Sequence, residues 1–191
     1  MKSAGAKIGW VTDLIIEIVT IGEIERPLLK ALSNELRKAY GSLTDGCLVG
    51  PSLEMPPAAY NAQRGQHDAD LILDRVLHRI TGENKVLALT GADLYTRSHD
   101  YNFIFGLAQR QGRVALVSLH RLDPTFCGER PDRKLFVERV AKEAIHELGH
   151  TFGLVHCTDP KCVMSFSNSI LDVDTKSEAF CDNCKEKLHA R

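Results

Sequence analysis

The sequence predicts an α/β fold. The expected core is a mixed, mostly parallel, twisted sheet of about five strands with one antiparallel edge strand, packed by helices. A small C-terminal subdomain carrying two cysteine pairs follows it. Three observations carry this reading. Short apolar runs alternate with amphipathic helical stretches through Thr90, the pattern of strand-helix-strand units whose strands run parallel. Two further apolar runs, Phe103–Ala108 and Val114–Leu119, are joined by the short polar turn Gln109–Gly112, a connection that forces them antiparallel and makes the first oppose the rest of the sheet. A long helical stretch then enters a histidine motif followed by two cysteine pairs.

Taken in order, Ile8–Val11 and Leu14–Ile21 read as one strand or its two halves. Glu25-Arg26-Pro27 starts a helix, with proline suited to the first turn, and Leu28, Leu29, Leu32, Leu36 and Ala39 give it one apolar face before Gly41 stops it. Gly46–Gly50 is a second strand carrying Cys47 into the core, and Pro51, Pro56 and Pro57 mark the loop after it. Asp68–Ile80 is a second amphipathic helix, and Lys85–Thr90 is a strand apolar enough to be buried on both faces. Gly91–Asn102 reads as a polar loop. The helix from about Asp132 to Phe152 carries the histidine motif, and Asp174-Thr175 is placed as the cap of a last helix bearing Cys181 and Cys184.

The 191 residues, 43% hydrophobic and 26% charged, suit one compact domain over 1–191, with 157–191 as the cysteine-stapled subdomain. A net charge of −1 gives no global electrostatic case for nucleic acid or an anionic membrane, and no apolar run approaches a membrane span. The start does not read as a signal peptide, so the expected location is cytoplasmic, with reduced thiols.

Chemistry concentrates in His146-Glu147-Leu148-Gly149-His150-Thr151-Phe152-Gly153-Leu154-Val155-His156. Residues four apart share a helix face, so His146 and His150 can aim two imidazoles at one ion. Glu147, about 100° further round, sits beside that ion without ligating it and can act as a general base. Gly153 is placed to end the helix in the left-handed conformation, letting His156 return as a third ligand. Three protein ligands with one open position is the catalytic arrangement of zinc. Cys157, Cys162, Cys181 and Cys184 follow as C-x4-C and C-x2-C pairs, the spacing of a closed four-thiolate zinc site. Two disulfides or buried reduced thiols are the competing readings.

His146 to Cys157, Cys162-Val163-Met164 and Cys181-Asp182-Asn183-Cys184 together resemble the archaemetzincin family, over about the last quarter of the chain. The resemblance implies a metzincin-like fold, Met164 as the Met-turn methionine beneath the histidines, and two Zn(2+) per chain, one catalytic and one structural. It also implies that the antiparallel edge strand borders a substrate cleft. One departure from some other metzincins stands out: no tyrosine follows Tyr101, so none beyond the methionine can assist the transition state. The expected activity is zinc-dependent hydrolysis of peptide bonds in a peptide or protein substrate. An amide hydrolase on non-peptide substrates and a weakly active zinc-stabilised binding module are the alternatives.

Secondary candidates complete the list. Phe103, Ile104, Phe105, Gly106 and Leu107 are expected to bind substrate as an added strand, with His120 and Arg121 near the cleft at the end of the following strand. Asp93, His99 and Asp100 are a weaker metal-binding possibility. His67 and His78 are read as surface or capping residues, His189 as a disordered tail residue, and Cys127 as a loop residue of open role.

Overall fold

The structure, a computed structural model, describes residues 14–190. The expected strand segment Ile8–Val11 lies outside the described residues. Among the described residues, five strands form the main sheet: β1 (Ile15–Ile21), β2 (Gly46–Leu53), β5 (Lys85–Thr90), β7 (Gly106–Ala108) and β8 (Val114–Ser118), in the order β2-β1-β5-β8-β7. Pairings β1–β2, β1–β5 and β5–β8 are parallel, and β7 alone runs antiparallel, at the edge against β8. The expected mixed sheet with one reversed edge strand is the observed one.

Side chains alternate between the two faces of a strand, and here both faces are covered. Ile16, Ile18, Leu87, Leu89, Ala115 and Val117 pack on one face with α1 (Arg26–Tyr40) and α3 (Arg133–Thr151). Val19, Ile21, Val86, Ala88, Val114 and Leu116 pack on the other with α2 (Ala69–Leu77). Burial on both sides explains why β5 and β8 read as continuous apolar runs. Phe180, Cys184 and Leu188, from the C-terminal residues, join the same core as α1 and α3. Among the described residues no helix is long and apolar enough to cross a membrane.

Several boundaries differ from expectation. β2 continues through Pro51 to Leu53, with its register against β1 shifting between Ile18 and Thr20. Proline is tolerated there because β2 is an edge strand interrupted at that point. A second, three-stranded sheet, β3 (Tyr60–Asn61), β4 (Gln66–Asp68) and β6 (Leu94–Tyr95), occupies what reads as loop. The strand expected from Phe103 begins at Gly106, because Ile104 bridges instead to Leu94 of the small sheet. Asp174 caps nothing in the last helix. It lies in α4 (Ile170–Thr175) and grips Arg139 of α3 through two hydrogen bonds of 2.8 and 2.7 Å. The last helix, α5 (Asp182–His189), has Cys181 at its N-cap and includes His189, which the sequence reading placed in a tail.

Candidate active site

α3 starts where the Asp132 side chain accepts from Leu135 N at 2.9 Å and stops where Gly153 adopts φ +84°. At the stop, Gly153 N bonds His150 O at 2.8 Å and Leu154 N bonds Gly149 O at 3.0 Å, so the helix ends and the chain turns back at the predicted glycine. Lys85 helps close that end by donating to Thr151 O and Gly112 O.

The turn brings His156 beside His146 and His150. One ring nitrogen from each of the three lies within 4.8 Å of the others. His146 Nδ1 donates to Val163 O at 2.9 Å and His150 Nδ1 to Leu154 O at 2.8 Å. A carbonyl can only accept, so both Nε2 atoms carry bare lone pairs, and they face each other at 3.1 Å. Two lone pairs at that separation repel unless a cation lies between them, so the donor set fits a metal ion. Burial depresses all three imidazole pKa values, His146 most strongly and His156 to about 4, which keeps the rings neutral and ready to ligate.

Glu147 is 7% exposed and faces the same cleft. Burial, and then the charge of Glu143, push its pKa up to about 8, while Lys176 opposes the rise. A divalent cation nearby adds to the lowering side. Glu143 stands one helical turn earlier on α3. It pairs at 2.8 Å with Lys176, whose side chain is fully buried.

The cleft holds about 250 Å³ between α3 and β7. Gly106, Leu107 and Ala108 line it, together with Phe103, Ile104 and Phe105. His99 and Tyr101 are on its rim, where Tyr101 packs on Phe166 and Phe166 on His156. His120 does not line it. It lies against Phe126 in a separate shallow depression, because the chain turns into a 3-10 segment at His120–Leu122 immediately after β8. Arg121 reaches Asp93 through two contacts of 2.7 Å and stacks on Phe103 at 4.1 Å, so it braces the cleft wall from behind. That pairing, with Gln66 also donating to Asp93, occupies the carboxylate considered as a metal ligand. His78 ends α2 as its C-cap, in keeping with a capping role, whereas His67 is half-buried in β4 against Tyr60 and is neither a cap nor a surface residue.

Behind the histidines, the sulfurs of Cys157, Cys162, Cys181 and Cys184 converge within 4.8 Å of one another. Cys157 and Cys181 Sγ stand 3.7 Å apart, far beyond an S–S bond of about 2.05 Å. Burial raises the Cys162 and Cys184 thiols, whereas the Cys184 amide lowers Cys181. Four convergent free sulfurs with two polar, partly exposed members suit a thiolate-bound metal better than packing. Cys47 is buried in the core, and Cys127 is exposed in its loop.

Two glycines escaped the sequence reading as shapers of the site. A Cβ on Gly106 would stand 2.6 Å from Glu147 Cγ, 2.7 Å from its Oε1 and 2.7 Å from Leu116 O. A Cβ on Gly149 would stand 2.5 Å from Met164 Sδ. Met164 thus passes against α3 at Gly149, the residue before His150, and is fully buried there. Helical spacing from His146 could have flagged Glu143, but no local signal marks its partner Lys176, more than thirty residues on.

The comparisons agree with this geometry. The profile of peptidase family M54 matches residues 42–190. An archaemetzincin from Pyrococcus furiosus is 47% identical over 94% of this chain and 94% of its own length. This chain belongs to peptidase family M54, the archaemetzincins. Among solved archaemetzincins, that of Methanopyrus kandleri is similar with a TM-score of 0.81 and 39% identity, covering 96% of this chain and 97% of its own. The archaemetzincin of Archaeoglobus fulgidus, solved with malonate, gives 0.76 and 35% over 91% and 99%.

Proposed function

We propose that this archaemetzincin is a zinc-dependent peptidase that binds one zinc through His146, His150 and His156 and a second, structural one through Cys157, Cys162, Cys181 and Cys184. The observation that carries the reading is the pair of bare Nε2 atoms 3.1 Å apart with Glu147 beside them in an open cleft. Zinc bound there supplies a Lewis acid for the scissile carbonyl and makes water more acidic. Glu147 accepts a proton from the attacking water on its carboxylate, holds it in the buried pocket beside Gly106, and returns it to the leaving amine. The lowered imidazole pKa values keep all three histidines available as ligands at neutral pH. Met164 is an apolar floor beneath them, and residues 157–191 are the cysteine-stapled part of a single domain.

A peptide substrate lies along β7. Ser118 N bonds Phe105 O and Gln109 N bonds Val114 O, so residues 105, 107 and 109 form the bonded pairs with β8. By the alternation of an antiparallel ladder, Gly106 and Ala108 turn their N–H and C=O groups to the open edge. An extended peptide can pair with that row and reach Glu147.

Digestion of an unbiased peptide library by the zinc-loaded protein tests the reading. The wild type is expected to cleave peptide bonds. Glu147→Gln is expected to lose activity by orders of magnitude while keeping its full metal content. Loss of the histidine-bound metal in Glu147→Gln would make Glu147 a ligand and overturn the role given to it.

A further inference from the structure

The two donor sets are joined by short, direct connections. His156 and Cys157 are consecutive in sequence, so neighbouring residues face different metal sites. Cys157 N donates to Met164 O at 2.9 Å, and Cys157 bridges to Ser165, which lays the histidine turn against the segment carrying the methionine. That segment begins at Cys162. Its next residue, Val163, supplies the carbonyl that fixes the His146 ring at 2.9 Å. Val163 is in turn held by its own N–H on Ala179 O at 2.9 Å, two residues before Cys181, whose N–H reaches Cys162 Sγ at 3.3 Å. Met164 follows and fills the space against Gly149, the residue preceding His150. His146 is therefore one hydrogen bond, and His156 one residue, from backbone that the cysteines pin, and His150 follows the glycine against which Met164 packs.

We propose that the four-cysteine site positions the histidine site: Cys162 and Cys181 hold the Val163 carbonyl and the Met164 side chain in place, and Cys157 holds His156. This rests on the zinc reading above and goes beyond a staple for the C-terminal residues, because it couples the affinity of one site to occupancy of the other. Groups that orient a ligating histidine typically change metal affinity by about 10- to 100-fold when removed.

The test reads metal binding rather than turnover. Cobalt(II) is loaded into the full chain, and its thiolate charge-transfer bands are followed separately from the ligand-field bands of the histidine site during competition with a chelator. Cys184→Ser is expected to weaken cobalt at the histidines by about 10- to 100-fold. Cys184→His keeps four ligands of a kind tetrahedral sites accept and is expected to restore most of that affinity. Ile72→Ala, a cavity on the opposite face of the sheet, is expected to lower stability without moving it. In the wild type, where folding of a variant is not at issue, the histidine bands should vanish no later than the thiolate bands as chelator is raised. Histidine-site affinity unchanged in Cys184→Ser, or histidine bands persisting after the thiolate bands are gone, would overturn the coupling. A wild type that never develops the histidine bands would instead overturn the zinc reading on which it rests.

Discussion

Room for Glu147 is made by the absence of a single side-chain atom. Gly106→Ala would press a methyl against Glu147 and against Leu116 O of the neighbouring strand, and overpacking of this kind costs about 1–3 kcal/mol. We expect kcat to fall more than stability does, because Glu147 is displaced directly; peptide kinetics beside denaturant unfolding would show it, and unchanged kcat would mean the carboxylate has slack. The buried pair Lys176–Glu143 makes a separate prediction. Removing one partner of a buried pair typically costs about 3–5 kcal/mol, whereas replacing both with apolar residues is often neutral. Lys176→Met should therefore destabilise by about that amount, and Lys176→Met with Glu143→Leu should recover most of it, as measured by urea unfolding. The convergence of His146, His150 and His156 was legible because residues four apart share a helix face and Gly153 turns the chain back, and Glu147 because its offset sets it beside that face. Gly106, Gly149 and Lys176 were not, because their meaning lies in what another segment brings against them.

At the scale of elements, long periodic segments and apolar strands such as β5 and β8 read true, and the two- and three-residue strands of the small sheet did not. α1 and α3 each end at or within one residue of the expected glycine or phenylalanine, since fifteen or more residues give the apolar period time to declare itself. Strands of two or three residues have no period, and β3, β4 and β6 were missed for that reason. Asp174 looked like a cap because aspartate usually serves as one, but Arg139 claims it. The edge strand yields a sharp prediction. Ala108→Pro removes an outward-facing N–H without touching the ladder to β8, so KM for peptides should rise several-fold with both metals retained. Leu107→Pro, which breaks the ladder itself, should instead lower the melting temperature. If Ala108→Pro leaves peptide hydrolysis unchanged, the substrate does not use this edge.

For the whole molecule, the order of strands and helices predicts the mostly parallel sheet that is observed. What that order could not give is that the C-terminal residues share the core of α1 and α3. Metal removal should therefore be felt beyond the cysteines. Exhaustive chelation is expected to lower the melting temperature and expose the segment after His156 to proteolysis, with zinc restoring both, because a structural zinc contributes directly to folding; a melting curve indifferent to chelation would argue against it. The central claim is that the two donor clusters are two zinc sites of different chemistry. Anomalous X-ray scattering from a crystal of the zinc-loaded protein, recorded on either side of the zinc edge, tests it most directly. The account predicts two peaks per chain, one about 2.0–2.1 Å from the Nε2 atoms of His146 and His150 and a ring nitrogen of His156, the other about 2.3 Å from all four sulfurs. A single peak at the cysteines with none among the histidines would contradict it.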